Sequence, residues 1–278
     1  MRALRGLLAL AITLGAFSAP ALGKPAAKPR APKDVDLASI RIENGRAHAP
    51  TTPGGDQVAL TIDPYLQRAA MRALEKSRAP SGAVVMSDVR TGRILVWAAI
   101  GSEGDLVRRA KYPGASLFKV VTSAALLDGG EVKMGDVVCF QGGESRLREE
   151  DLKPGCHAGD THIRFDKALG KSINAVFGKL ALTHLDQEEL DGMSRAFGIG
   201  LSPPIDVPAD STAVRIPKDK LGLARAAAGF GRSKMSPLAA LDVMQTIANR
   251  GERIRLHVTG NPDSIPRVSL GKSVDEET

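Results

Sequence analysis

Aromatic residues are scarce in this chain: one Trp, two Tyr and seven Phe among 278 residues. The core must therefore rest on Ala, Leu, Val and Ile, and the aromatic-and-basic stripe that a single-strand nucleic-acid binder needs is missing. Charge of one sign does not accumulate either. Lys plus Arg exceed Asp plus Glu by 38 to 31, a net +7, but beyond a basic N-terminal stretch (Arg2, Arg5, Lys24, Lys28, Arg30, Lys33) both signs are interspersed. Nucleic acid is not an expected partner. Past Gly23 no run stays apolar for the roughly 18 residues that a membrane span requires. With 43% hydrophobic and 25% charged residues there is no bias toward disorder, a collagen-like fibre or a coiled coil. What remains is a globular chain long enough for one large domain or two small ones.

The first residues read as an export signal, 1–23. Met1-Arg-Ala-Leu-Arg5 is a short positive segment and Gly6 to Phe17 an apolar stretch of signal-peptide length. Pro20 then breaks the helix, and Ala21-Leu22-Gly23 offers small residues for cleavage. Cleavage after Gly23 takes Arg2 and Arg5 with it and leaves a net +5. Retention as a membrane anchor is the alternative, since the apolar character persists to Leu22. Either way the body is expected to be exported, periplasmic or on the outer face of the cytoplasmic membrane. In an oxidising compartment Cys139 and Cys156, which enclose Gly142, Gly143, Pro154 and Gly155, are expected to pair as a disulfide. Closing a loop of that size is worth about 3 kcal/mol on chain-entropy grounds. A zinc reading can recruit His157 and His162, but the close Cys pair usual in such sites is missing, and no metal or cofactor is expected.

Residues 24–56 read as a Pro/Ala-rich basic tether (Lys24 to Lys33) and a short hairpin over Ile40 to His48, turning at Asn44-Gly45. The main domain is expected over 57–278. A strand from Gln57 to Ile62 leads to Asp63-Pro64, an N-cap and first-turn proline, and to a helix ending near Lys76 with Leu66, Ala70 and Leu74 on one face. Gly82 to Asp88 and Arg93 to Ala99 form an antiparallel hairpin, with the Gln57 strand expected beside it. Helical patterns cover Ser116 to Asp128, Asp166 to His184, Asp186 to Phe197, Leu221 to Ala228, and Ser236-Pro237 to Arg250-Gly251. From Asn261 the chain turns polar.

The chemistry candidate opens the second of these helices. In Ser116-Leu-Phe-Lys119 the serine and lysine lie on one helix face, and the hydroxyl sits where free N–H groups and the helix dipole favour developing negative charge. Lys119, among Leu117, Phe118, Val120 and Val121, would have its charged form disfavoured by desolvation, so that a neutral amine can take the serine proton. Ser-x-x-Lys should occur about once by chance in such a chain. It occurs twice, but Ser269-Leu-Gly-Lys272 lies in the polar tail without a helix signal. Ser172-Ile-Asn174, the one Ser-x-Asn of the chain, also heads an apolar run; its hydroxyl can relay a proton and its amide can bind a peptide carbonyl.

These blocks, in order, resemble the transpeptidase domain of penicillin-binding proteins. Thr61-Ile-Asp-Pro-Tyr-Leu-Gln67 is similar to the family's entry segment, followed by Ala83-Val-Val-Met-Ser-Asp88 with Thr91-Gly92-Arg-Ile-Leu95. Tyr112-Pro-Gly-Ala-Ser-Leu-Phe-Lys119 is similar to the nucleophile block and Ser172-Ile-Asn-Ala-Val-Phe177 to the second motif. Phe197-Gly-Ile-Gly200, Ile205-Asp-Val-Pro208 and Ala228-Gly-Phe-Gly231 before Ser236-Pro-Leu238 fit as well. The segment from Cys139 to His157 resembles the inter-motif insert of elongation-type members. The resemblance implies an α+β, β-lactamase/transpeptidase-like fold, with an antiparallel sheet flanked by helices and an all-helical subdomain carrying the nucleophile. It implies a D,D-transpeptidase that cross-links peptidoglycan stem peptides through an acyl-enzyme on Ser116. Lys119 would be the base, Ser172 the proton relay, and Asn174, Gly229 and Gly231 would bind substrate. β-Lactams would acylate the same serine, and a glycosyltransferase of the cell-wall machinery is the expected protein partner. Membrane contact is expected only through the N-terminal segment, if uncleaved. The net +5 suits an anionic cell wall or membrane surface.

The family's third motif, Lys-Thr-Gly on an edge strand, is not in this sequence. Val258-Thr-Gly260 follows the Ser236 helix too soon, and Gly271-Lys-Ser273 has the wrong order. That motif supplies carboxylate-binding side chains and the second oxyanion N–H, and losing one such donor costs about 100- to 1000-fold in rate. The expectation is a C-terminally incomplete domain with little transpeptidase activity. A serine β-lactamase or β-lactam sensor, and an exported scaffold of cell-wall machinery without catalysis, are the alternatives.

Overall fold

The computed structural model describes residues 34–52, 55–143 and 146–278. The expected export signal and the basic tether lie outside these residues.

A short turn at Leu37–Ser39, capped by the Asp36 carboxylate, leads into β1 (Arg41–Glu43) and β2 (Arg46–Pro50), the hairpin turning at Asn44-Gly45 as expected. β3 (Gln57–Ala59) adds to the free edge of β2, His48 opposite Ala59, and not to the later hairpin. Period-two alternation explains the placement: Ala47 and Ala49 point inward, join Val35, Leu37, Leu60 and Ile62, and meet Trp97, Ile205, Leu238 and Leu256 in one cluster. The hairpin of the 24–56 segment is thereby packed into the body.

The helix α1 (Pro64–Ser77) begins as its sequence dictates. The Asp63 Oδ1 accepts from the N–H groups of Tyr65 and Leu66 at 2.8 and 2.9 Å, and Pro64 occupies the first turn. Its buried face, Gln67, Ala70 and Leu74, lies on the antiparallel hairpin β4 (Gly82–Ser87) and β5 (Ile94–Ile100), against Val96 and Ala98. The Gln67 amide fixes the register of that contact by bonding both the N–H and the carbonyl of Trp97, each at 2.8 Å.

The chain then builds its helical part. α2 (Phe118–Asp128) is buried at every position from Phe118 to Leu126 except Val120, the mark of a helix surrounded on all sides. β6 (Val137–Phe140) and β7 (Thr161–Arg164) pair antiparallel and close the loop between them. α3 (Phe165–Gly170) and α4 (Asn174–His184) replace the single helix expected over Asp166 to His184. The break falls at Ser172, whose φ of 55° lies in the left-handed region. The apolar pattern runs through it because both helices bury their faces in one core, so periodicity gave no sign of the kink. α5 (Gln187–Ala196), β8 (Ala213–Arg215), α6 (Lys220–Ala227), β9 (Arg232–Lys234) and α7 (Pro237–Ala248) follow, with β8 and β9 paired antiparallel. β10 (Glu252–Ile254) pairs with β11 (Ser269–Lys272), a strand where the sequence suggested only a polar tail. All four β11 residues are exposed, so no apolar alternation announces it.

α2 stands between two cores. On one side Phe118, Val121, Ala124 and Ala125 pack with Leu190, Leu223, Ala239 and Val243 of α5, α6 and α7. On the other, Leu126 joins Phe165, Val176 and Phe177 with Leu147 and Leu152 of the loop between β6 and β7. α7 is anchored to β10 by a buried ion pair: Asp242 Oδ2 accepts from Arg253 Nε and Nη2 at 3.0 and 2.6 Å. The result is an α+β body in which a buried helix presents its N-terminal end at the junction of several elements.

Candidate active site

The nucleophile turn is held from behind. Gly114 N–H donates to Ser233 Oγ at 3.1 Å and Met235 N–H to the Tyr112 carbonyl at 2.8 Å, tying the lead-in to the β9 segment. Ala115–Leu117 forms one tight turn that runs into α2, so Ser116 is exposed at the helix start, where backbone N–H groups lack intrahelical partners. Ala115 sits at φ 46°. A left-handed residue without a glycine's freedom on each side of the site, Ala115 here and Ser172 opposite, is strain held in place by the surrounding packing.

Lys119 is fully buried. Its Nζ lies 3.0 Å from Ser116 Oγ, 3.1 Å from Ser172 Oγ and 2.7 Å from Asn174 Oδ1. The three ammonium donors are thus matched by three acceptors. The Ser172 hydroxyl donates in turn to Ser116 Oγ at 2.8 Å. Burial lowers the Lys119 amine from the ordinary 10.5 to about 8. The Phe177 ring, its centroid 5.7 Å from Nζ, forms part of the surroundings. Two helix starts meet here: α2 carries Ser116 and Lys119, and the kink between α3 and α4 carries Ser172 and Asn174. The φ of 55° at Ser172 lets its hydroxyl face the same lysine as the first residue of α4.

Gly229 has a steric role that the sequence did not disclose. Its φ is +88°, and a Cβ there would fall 2.2 Å from the Ala115 carbonyl oxygen and 3.2 Å from the Ser116 nitrogen. The glycine lets the chain after α6 lie against the nucleophile turn. Gly229→Ala is expected to cost stability and to displace Ser116, lowering its acylation about 100-fold, read as acylation rate alongside Tm. Gly231 lies against Ala226, whose Cα would be 3.3 Å from an added Cβ.

The sequence also singled out residues outside this cluster. Cys139 and Cys156 are joined in a disulfide with Cα atoms 5.3 Å apart. A ring nitrogen of His162 comes within 4.8 Å of both sulfurs, but sulfurs bonded to each other do not offer the thiolates a zinc site requires. His157 turns instead to the Pro154 carbonyl at 3.1 Å. Thr259 is engaged by Asp206, which accepts from its N–H and hydroxyl and from the Val258 N–H. No helix among the described residues is long and apolar enough to cross a membrane.

A buried helix that starts in Ser-x-x-Lys and meets a Ser-x-Asn kink, in an α+β body of this kind, matches the fold of the penicillin-binding transpeptidases. The family model described as the penicillin binding protein transpeptidase domain matches residues 82–276, and the chain belongs to that family. It is 30% identical, over 247 aligned residues, to peptidoglycan D,D-transpeptidase PbpA of Mycobacterium tuberculosis, with 75% of this chain and 49% of that protein covered. Against the protein of the same name from Mycolicibacterium smegmatis the figures are 29%, 73% and 48%. The chain spans about half the length of these curated relatives. The fold superposes on the imipenem acyl-enzyme complex of M. tuberculosis penicillin-binding protein A with a TM-score of 0.66 at 24% identity, covering 81% of this chain and 61% of that one.

Proposed function

We propose that the chain is the acyl-transfer part of an exported, penicillin-binding D,D-transpeptidase. The observation that carries this reading is the buried Lys119 amine, held near 8 and in hydrogen-bond reach of Ser116, Ser172 and Asn174. At pH 7 an amine of pKa about 8 is neutral in about one molecule in ten, against about one in three thousand for an ordinary lysine. The neutral amine takes the Ser116 proton, directly or through Ser172, as Oγ attacks the penultimate D-Ala carbonyl of a stem peptide. The tetrahedral oxyanion is received by the Ser116 N–H at the start of α2. Collapse expels the terminal D-Ala, its amine receiving the proton back, and the acyl group passes to an amine of a neighbouring stem. Asn174, whose Oδ1 orients Lys119, is assigned the substrate amide, and the Gly229 to Gly231 segment beside the nucleophile turn lines the acyl chain. β-Lactams acylate Ser116 by the same route, and a cell-wall glycosyltransferase is the protein partner this reading implies.

The test is to incubate the chain with penicillin, map the adduct by mass spectrometry, and follow its fate with a D-amino acid as acceptor. A single long-lived adduct on Ser116, formed slowly and with little transfer to the acceptor from a stem-peptide mimic because Lys-Thr-Gly is not in this sequence, is the expected result. Rapid hydrolysis of the adduct would make the protein a β-lactamase. The absence of any adduct on Ser116 would leave a scaffold.

A further inference from the structure

We infer that the Cys139–Cys156 disulfide is a thiol-exchange site whose state is transmitted through Lys179 to the first turn of α4. The two half-cystines differ in access. Cys139 is buried on β6 and Cys156 is exposed, and both lie, with Pro154, Gly155 and Lys179, on the wall of an open cavity of about 630 Å³. An incoming thiolate therefore meets the Cys156 sulfur first. His162 stands opposite Cys139 in the β6–β7 ladder, and its ring nitrogen lies within 4.8 Å of both sulfurs.

The chemistry balances with an external dithiol as reductant. Its thiolate attacks the Cys156 sulfur, the S–S bond breaks, and Cys139 departs with the electron pair and takes a proton from water. The second thiol of the reductant then resolves the mixed disulfide. The protein gains two thiols and the reductant becomes a disulfide, a two-electron exchange.

The link to the helix is Lys179. It is buried on α4, and its Nζ donates to the carbonyl of Cys139 at 2.6 Å and to that of Gly155, the residue before Cys156, at 2.9 Å. One side chain thus clamps the flanks of both cysteines to the helix that begins with Asn174. The loop reaches the first turn of α4 as well: a Cβ on Gly143 would come within 2.7 Å of the Ala175 Cβ, and Leu147 and Leu152 pack with Val176 and Phe177. Opening the disulfide frees the Gly155 carbonyl and leaves a buried ammonium with one acceptor fewer, which loosens the turn that presents Asn174 to Lys119. The effect on acylation rests on the function proposed above; the exchange chemistry and the loosening of α4 do not.

The experiment uses the full chain in the presence of a metal chelator. Limiting glutathione traps the mixed disulfide for peptide mapping, and hydrogen exchange is compared between the oxidised protein, the protein reduced with dithiothreitol, and oxidised Lys179→Met. The expected results are glutathione on Cys156 and an amide exchange rate over 174–178 that rises about tenfold or more on reduction, with α1 unchanged. Lys179→Met should reproduce the rise without reduction. Glutathione on Cys139, unchanged exchange in α4, or an equal rise in α1 that signals global unfolding would each overturn the inference. Acylation of Ser116 should fall about tenfold on reduction. If Ser116 accepts no acyl group in either state, the proposed function fails while the exchange data still decide the coupling.

Discussion

Methionine in place of Lys119 is expected to slow acylation of Ser116 by penicillin about 100- to 10000-fold, the range general-base catalysis supplies. The substitution removes the amine and little else. Methionine keeps the unbranched stem of the side chain, one heavy atom shorter, and suits a site whose surroundings include the Phe177 ring. The 2.8 Å bond from Ser172 to Ser116 does not involve Lys119 and should persist, so the nucleophile stays in place with no strong base beside it. Ser116→Ala should carry no adduct at all, which separates slow chemistry at the right atom from labelling elsewhere. Initial acylation rates by mass spectrometry, with circular dichroism as a check on folding, read both effects. An acylation rate in Lys119→Met within a few-fold of the parent would remove the lysine from the mechanism.

The largest expected loss of stability is at Arg253. Its guanidinium lies against Gly198 and gives two hydrogen bonds to one oxygen of Asp242, while nothing among the described residues bonds the other, Oδ1. Burial raises the Asp242 carboxyl above its ordinary 3.8, and Arg253 pulls the other way. Arg253→Met leaves a buried carboxylate with burial alone acting on it, a change that costs about 3–5 kcal/mol. The folded variant then holds the carboxyl proton to higher pH than the unfolded chain does. A folded pKa above the unfolded one stabilises below the unfolded value and loses that contribution as pH rises through the folded value. The deficit relative to the parent is therefore larger at pH 7 than at pH 5 and shrinks as pH falls toward the ordinary carboxylate value. Urea unfolding of both proteins at about pH 7 and pH 5 measures it, and a deficit that does not change between them would contradict this account of Asp242.

Much of this was legible in the sequence, for physical reasons that differ from element to element. Asp63-Pro64 announced α1 because a cap and a first-turn proline act locally, and Asn44-Gly45 announced the first hairpin for the same reason. Ser116, Lys119, Ser172 and Asn174 were legible as two motifs, and the structure brings Ser116, Ser172 and Asn174 each within 3.1 Å of the Lys119 amine. What remained hidden depends on tertiary neighbours. The Ser172 kink interrupts no apolar pattern, β11 has no buried face, and β3 could choose either sheet by its own composition. Gly229 was expected only to bind substrate; its steric role shows once the Ala115 carbonyl is seen 2.2 Å from where a Cβ would go. Lys179 sits in an apolar helical run, and only the carbonyls of Cys139 and Gly155 explain its burial.

The most direct measurement of the central claim, that a neutral Lys119 amine activates Ser116, is the rate of Ser116 acylation by penicillin as a function of pH. Burial alone lowers this amine, and the competent form is the deprotonated one. The rate should therefore rise about tenfold per pH unit through neutrality and level off above about 8. A profile that is flat across this range, or that keeps rising toward the 10.5 of an ordinary lysine, would contradict it.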